Sequence, residues 1–507
     1  MRRGIRAAAA AAVFVAASAA GAAPARPERV RELVLELSVE EARAELGAGE
    51  ASDPAVALER GRLALYVGDC DTAVAVLSAP ALASDTDAAS MLATARGCAE
   101  ATAGAAVVED AQAGLWVRVQ DDADRALVPL LAEVAVRARE SSRRDLGVEL
   151  PRPLRIDLVR DLFALAAVSG LPLEAAETTG TLAVARWGRV TMLSPRATGR
   201  GYSWQDTLAH EITHLALSRA TRDAAPLWLQ EGLAKRSESR WRAARPFDDP
   251  RESDRTAREA FVSGRSVGVT ELGPSIAMLP TPDAATTAFA EVTSFIEHWI
   301  GLHGQPAVWA LLADLRGTGD PERSMVSVTG YPLAYWLARW ERGVLAAPEP
   351  EGGGAPGERP RAPLDPDAVA RIVRLGQLSL ARGAAAHAAI LLDAAIERAP
   401  REPSLRAAAA RAHLEAGADD RARRSLGTRA DVGGAHGSWH ALEARLATDP
   451  AAAKASLELA LGLDPLAEEV ACEGHWTPGG PRATAPDPPA AEAPRALCLA
   501  ARSAPRR

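Results

Sequence analysis

The spacing of apolar positions changes several times along this chain, and each change predicts an element. Leu115-Trp116-Val117-Arg118-Val119 and Leu154-Arg155-Ile156-Asp157-Leu158-Val159 alternate apolar with polar, the period of a strand. Residues 125–144 between them carry Leu127, Leu130, Leu131, Val134 and Ala138 at helical spacing. Residues 181–193 hold two short runs around Trp187-Gly188, which reads as a hairpin or edge strand. Residues 207–218 contain no Gly or Pro and place Leu208, Ile212 and Leu215 on one stripe, with His210, His214 and Leu217 on the next. Ser203 or Asp206 can cap the start of that helix. A helix so apolar on both sides is buried. Pro226 opens a second helix that the short stretch 219–225 folds back on the first, and 292–303 reads as a third. Together these elements predict an α+β domain.

Chemistry concentrates in the buried helix. His210-Glu211-Ile212-Thr213-His214 is an H-E-x-x-H run in a chain with only nine histidines. Residues four apart lie on one helix face, about 6 Å apart along the axis, so both imidazoles can reach one ion. Glu211, one step around the helix, is placed to touch a metal-bound water rather than the metal. Such a zinc site needs a third ligand from another element. Glu231, in Pro226-Leu227-Trp228-Leu229-Gln230-Glu231-Gly232-Leu233-Ala234, supplies it. A carboxylate on so apolar a helix is costly unless it is paired or bound to metal.

H-E-x-x-H followed by P-x-W-L-x-E-G-L-A resembles the gluzincin metallopeptidases, in particular the peptidase MA-like family of bacterial envelope proteins. The resemblance covers residues 111–345. It implies a thermolysin-like catalytic domain, with a mixed sheet, an edge strand and active-site helices. It implies one zinc ion held by His210, His214 and Glu231, with Glu211 as general base. It also implies that 181–194 lines the cleft and receives the substrate backbone as an added strand. Four positions after the ligand glutamate, where some gluzincins carry an aspartate, this chain has Lys235. Candidates to donate to a developing oxyanion are His298, His303, Tyr331 and Tyr335. With such a ligand set the pKa of a bound water falls from about 16 toward 7. Glu211 then takes its proton and passes it to the leaving amine, and no Ser or Cys nucleophile is needed.

The flanks are helical. Leu375, Gly376, Ala388, Leu392, Ala395 and Pro400 resemble the key positions of a 34-residue tetratricopeptide (TPR) repeat. Ala409, Ala410, His413, Ala422 and Leu426 recur one repeat later, and Leu457, Ala460 and Pro465 close a third unit. A partial repeat at 57–80 surrounds Gly68, Ala73 and Leu77. TPR arrays imply a protein partner. The expected organisation is a signal peptide at 1–22, an N-terminal helical segment at 23–110, the peptidase domain at 111–345 and a Pro/Gly/Glu-rich linker at 346–366. Repeats at 367–470 and a disulfide-containing, low-complexity tail at 471–507 complete it. Residues 236–258, charged and broken by Pro246 and Pro250, form either a lid or a solvated connection.

Composition sets the compartment and excludes some partners. Arg2, Arg3 and Arg6 precede an Ala-rich stretch ending in Ala20-Gly21-Ala22, the pattern of a cleaved export signal. Without those three arginines the formal charge moves from −8 to −11, which argues against nucleic acid and anionic membranes. No later segment is long and apolar enough to span a bilayer. Cys70, Cys98, Cys472 and Cys498 fit export. One local disulfide at each end is the economical choice among three connectivities. The leading expectation is an exported, periplasmic or secreted, zinc peptidase acting on protein or peptide substrates. The alternative is a non-catalytic envelope scaffold that keeps a peptidase-like fold while its repeats bind partners.

Overall fold

The computed structural model describes residues 26–47, 53–198, 201–245, 248–347, 366–432, 434–473 and 492–503. The expected leader at 1–22 lies outside them, as do 348–365 of the linker and 474–491 of the tail. The described chain is mostly helical around one five-stranded mixed sheet, ordered β1-β2-β3-β5-β4, an α+β arrangement. The strands are β1 (Ala106–Asp110), β2 (Leu115–Val119), β3 (Leu154–Val159), β4 (Ala183–Arg186) and β5 (Arg189–Leu193). β2, β3 and β5 run parallel, and the two outer strands pair antiparallel with their neighbours.

Register explains which side chains meet. Val117, Ile156, Val190 and Met192 share one face, in one core with Leu208 and Ile212 of the motif helix Trp204–Thr221. The helix Val128–Leu146 crosses over from β2 to β3 and packs beside the motif helix on that side. Positions of the other parity, Val159 and Leu193, pack with Cys70 and Cys98. Alternation in β2 and β3 therefore does not mark a wet face. Arg118 and Asp157 are buried as well, because the helices before β1 cover that side.

A buried charge cluster forms there. Asp157 accepts from Arg118 Nε and Arg189 Nε, each at 2.7 Å. Both guanidiniums also donate to Cys98 Sγ, at 3.6 and 3.5 Å. Arg118 donates to the Gly68 carbonyl at 2.8 Å, and Arg189 reaches the Leu65 carbonyl. Both local cysteine pairs, Cys70–Cys98 and Cys472–Cys498, are disulfides. No helix among the described residues is long and apolar enough to cross a membrane.

The C-terminal region is a run of helix pairs. These are Pro366–Ala381 with Ala385–Ile396, Pro403–Glu415 with Asp419–Leu426, and Gly437–Leu446 with Pro450–Leu463. Gly376 lets the first pair close, since a Cβ there would meet Leu392 at 2.8 Å. Ala388, Leu392, Ala395, Ala409 and Leu426 are buried between helices, whereas Leu375 faces solvent. The last pair docks on the start of the motif helix. Tyr202 N and Trp204 Nε1 donate to the carbonyls of Leu463 and Leu461, each at 3.0 Å.

Candidate metal centre

The motif helix runs Trp204–Thr221 and turns at Arg222, and the second helix runs Leu227–Ser237 with Pro226 as its N-cap residue. Ser203 is the N-cap of the motif helix, but its side chain makes no capping bond. The Asp206 carboxylate is engaged elsewhere. It accepts from Trp241 Nε1 at 3.0 Å and from Arg242 at 2.7 and 2.8 Å. Neither a lid nor a loosely solvated connection describes the start of 236–258. Those bonds clasp it to the motif helix.

Gly232 sets the depth of the second helix. A Cβ there would meet the Val292 carbonyl at 2.8 Å and Ile296 at 2.5 Å. Both belong to the helix Pro282–His303, so only glycine permits this approach. The same helix brings the Phe289 ring edge-on to His210, with centroids 6.1 Å apart.

These two packings bring together the three residues expected to be ligands. His210 Nε2 and His214 Nε2 are 3.1 Å apart, and each lies 3.5 Å from Glu231 Oε2. Two ligand atoms on a tetrahedral zinc at about 2.0–2.1 Å stand about 3.3–3.4 Å apart. The triangle fits such an ion, and His210, His214 and Glu231 could hold one. The far side of each ring is also fixed. His210 Nδ1 faces Glu238 Oε1 at 3.0 Å, and His214 Nδ1 faces Gln230 Oε1 at 3.2 Å. Gln230 Nε2 donates to the Ala225 carbonyl at 3.1 Å, so its oxygen is the end turned to His214. Acceptors at both Nδ1 positions select the tautomer that leaves Nε2 lone pairs free for a cation.

The electrostatics show what the site wants. Burial alone would depress His210, but its bonds to Glu231 and Glu238 outweigh that and raise it to about 10. Burial would raise Glu231, yet the adjacent His214 and His210 hold it far below the usual carboxylate range. Without a metal, a proton supplies the positive charge that two facing lone pairs require. Glu211 differs. Burial pushes it up, the two imidazoles pull it down less, and the Ala185 amide hydrogen-bonds its carboxylate. A buried carboxylate with a raised pKa suits proton transfer.

Ala185 lies on β4, at the free edge of the sheet. Leu193 N donates to the Leu182 carbonyl, and the register then makes Val184 and Arg186 the hydrogen-bonded partners of Thr191 and Arg189. Ala183 and Ala185 therefore turn their amides and carbonyls outward. Trp187 and Gly188, at φ 55° and 67°, form the two-residue turn that sets this register. The edge borders a cleft of about 730 Å³, whose other walls are the motif and ligand helices, Pro274 to Met278, and Phe289.

Glu238, Gln230, the Ala185 amide and Phe289 were not among the expected site residues. Glu238 lies seven positions beyond Glu231, two helical turns on the same side, which was its one local signal. It supports His210 where Lys235 cannot, and Lys235 Nζ instead donates to Glu238 Oε2 at 2.7 Å. None of the four oxyanion candidates lines the cleft. His298 lies beside Gly343, and His303 packs on Trp299 and Trp336. Tyr331 and Tyr335 stack on each other at the surface. No protein-family model, no curated protein and no solved structure matches this chain.

Proposed function

We propose that this protein is a zinc-dependent metallopeptidase of gluzincin type, with a thermolysin-like catalytic unit and exported from the cell. One observation carries the reading. Three ligand atoms with tetrahedral spacing, a buried glutamate and the open edge of a sheet all meet in one cleft.

His210, His214 and Glu231 would hold the ion, and Glu238 and Gln230 fix the two rings. When bound, zinc supplies a polarised water and positive charge for the substrate carbonyl. The outward Ala183 amide and the outward carbonyls of Ala183 and Ala185 align an extended peptide across the cleft, while the Ala185 amide stays on Glu211. Glu211 accepts a proton on its carboxylate during attack and returns it to the leaving nitrogen. The Ala185 amide holds that carboxylate in place between the two transfers. Two disulfides and the absence of a spanning helix among the described residues are compatible with export. The paired helices of the C-terminal region, read as TPR-like, present a surface for a protein partner or substrate.

The test is a proteome-derived peptide digest read by mass spectrometry, using the mature protein and Glu211→Gln, with zinc quantified in both. The expected outcome is one zinc in each and cleavage slowed about 10²–10⁴-fold in the variant. Zinc in both without cleavage by either would favour the scaffold reading. Well-folded protein that takes up no zinc would sink the site itself.

A further inference from the structure

Charged side chains on the cleft wall are almost all committed to partners. Glu231 lies between two imidazoles, Glu238 is shared by His210 and Lys235, and Glu211 is held by the Ala185 amide. Arg186 is the exception. It lines the cleft at the hairpin end of β4 and has no ion pair with any described carboxylate. Arg186 is exposed at the strand end, but partial desolvation of its guanidinium lowers its pKa, and no acidic side chain other than the phenol of Tyr66 opposes the shift.

Arg186 is nevertheless held rather than free. One terminal nitrogen donates to the Gly170 carbonyl at 3.2 Å and to the Ser169 carbonyl at 3.4 Å. Its guanidinium stacks on Trp187, 5.0 Å from the ring centroid. The remaining N–H groups of that fork have no acceptor among the described residues. A guanidinium fixed in this way is prepared for a carboxylate, which it can bind through two parallel bonds.

Resting on the peptidase reading above, we propose that the cleft selects extended peptides bearing a carboxylate that pairs with Arg186. Ala185, which positions Glu211, directly precedes Arg186. Consecutive strand residues point to opposite faces, so Arg186 lies on the Arg189 face of this edge and takes its carboxylate from the end of the bound peptide, or from a side chain that points to that face. An aspartate or glutamate side chain and the peptide C-terminus offer the same chemistry.

The experiment compares wild type, Arg186→Gln and Arg186→Glu, all zinc-quantified, on one proteome-derived peptide pool. Wild type should cleave at a fixed distance from an acidic residue or from the C-terminus. Both variants should lose that preference by about tenfold or more, with zinc content and cleavage of neutral peptides unchanged. Amidating the C-terminus of the best substrate separates the two sources, since only a terminal carboxylate is lost. Cleavage without a carboxylate preference, or a preference that survives in Arg186→Glu, overturns the inference and leaves the peptidase reading intact. Failure of wild type to cleave any peptide defeats the peptidase reading instead. Fluorescent acidic and amidated neutral peptides titrated onto the zinc-loaded proteins then decide the inference. Selective loss of the acidic peptide in both variants keeps it, and equal binding overturns it.

Discussion

On one face of the sheet Asp157 sits between Arg118 and Arg189, and each charge is answered by another member, by a helix-terminal carbonyl or by the Cys98 sulfur. On the other face, His210, His214 and Glu231 turn their donor atoms toward a common point. Both clusters are buried and both bridge distant segments. The first is closed: it has satisfied its own polar groups and has nothing left for a ligand. The second is open: its Nδ1 atoms are tied back to Glu238 and Gln230 so that its Nε2 atoms are kept for something else. Burial of charge by itself therefore does not mark a functional site. The direction of the unsatisfied lone pairs does.

The largest effect is expected at Asp157. Asp157→Asn leaves two buried guanidiniums sharing no carboxylate, and it should cost about 3–5 kcal/mol of stability, read by denaturant unfolding. Zinc binding per folded molecule should be unchanged, because the closed cluster lies across the sheet. A zinc affinity that falls while stability holds would show that the two faces are not separate.

A smaller effect is expected at Glu238. Glu238→Gln should weaken zinc about 10–100-fold in a chelator competition, and should also lower the unfolding midpoint of the metal-free protein, since Glu238 answers both His210 and Lys235 there. Equal affinity in the two proteins would remove Glu238 from the site.

Acid should sharpen the contrast further, with the two kinds of cluster failing in a set order. A metal must displace the proton that His210 holds up to about 10, so zinc affinity falls as pH falls. In the C-terminal helices Glu443 is buried enough to be raised, but His440, Arg429 and Ser456 together bring it down to about 2. Its folded pKa lies below the ordinary value of about 4.3, so its stabilisation is present above that value and is lost as pH falls toward 2. On acidification zinc should leave first, by metal analysis, and the helical array should lose stability only below about pH 4, by circular dichroism. The reverse order would contradict this reading.

Much of the architecture was legible because it is local. Period-two runs at 115–119 and 154–159 are β2 and β3, and Trp187-Gly188 is the turn of the β4–β5 hairpin. The motif helix extends three residues beyond the expected 207–218 at each end. β1 was not expected, since Ala106–Asp110 is a half-exposed edge strand with little alternation to reveal it. The alternation in β2 and β3 leaves neither face wet, because the helices before β1 cover the side that holds Arg118 and Asp157. A period shows which side chains share a face, but not whether a second layer covers the other.

His210, Glu211 and His214 are bound together by helix geometry alone, and the cost of burying Glu231 on an apolar helix marks it as the third member of a group that could hold a metal. Those relations hold in any fold that keeps the two helices. Which acceptors face the two Nδ1 atoms, which strand edge meets Glu211, and why His298, His303, Tyr331 and Tyr335 stand away from the cleft were decided by tertiary packing. Gly232 against Val292 and the register of β4 on β5 settle those distances. Local spacing carries the residues of a site on one element. Only the close packing of separate elements determines which groups from elsewhere arrive within hydrogen-bond reach.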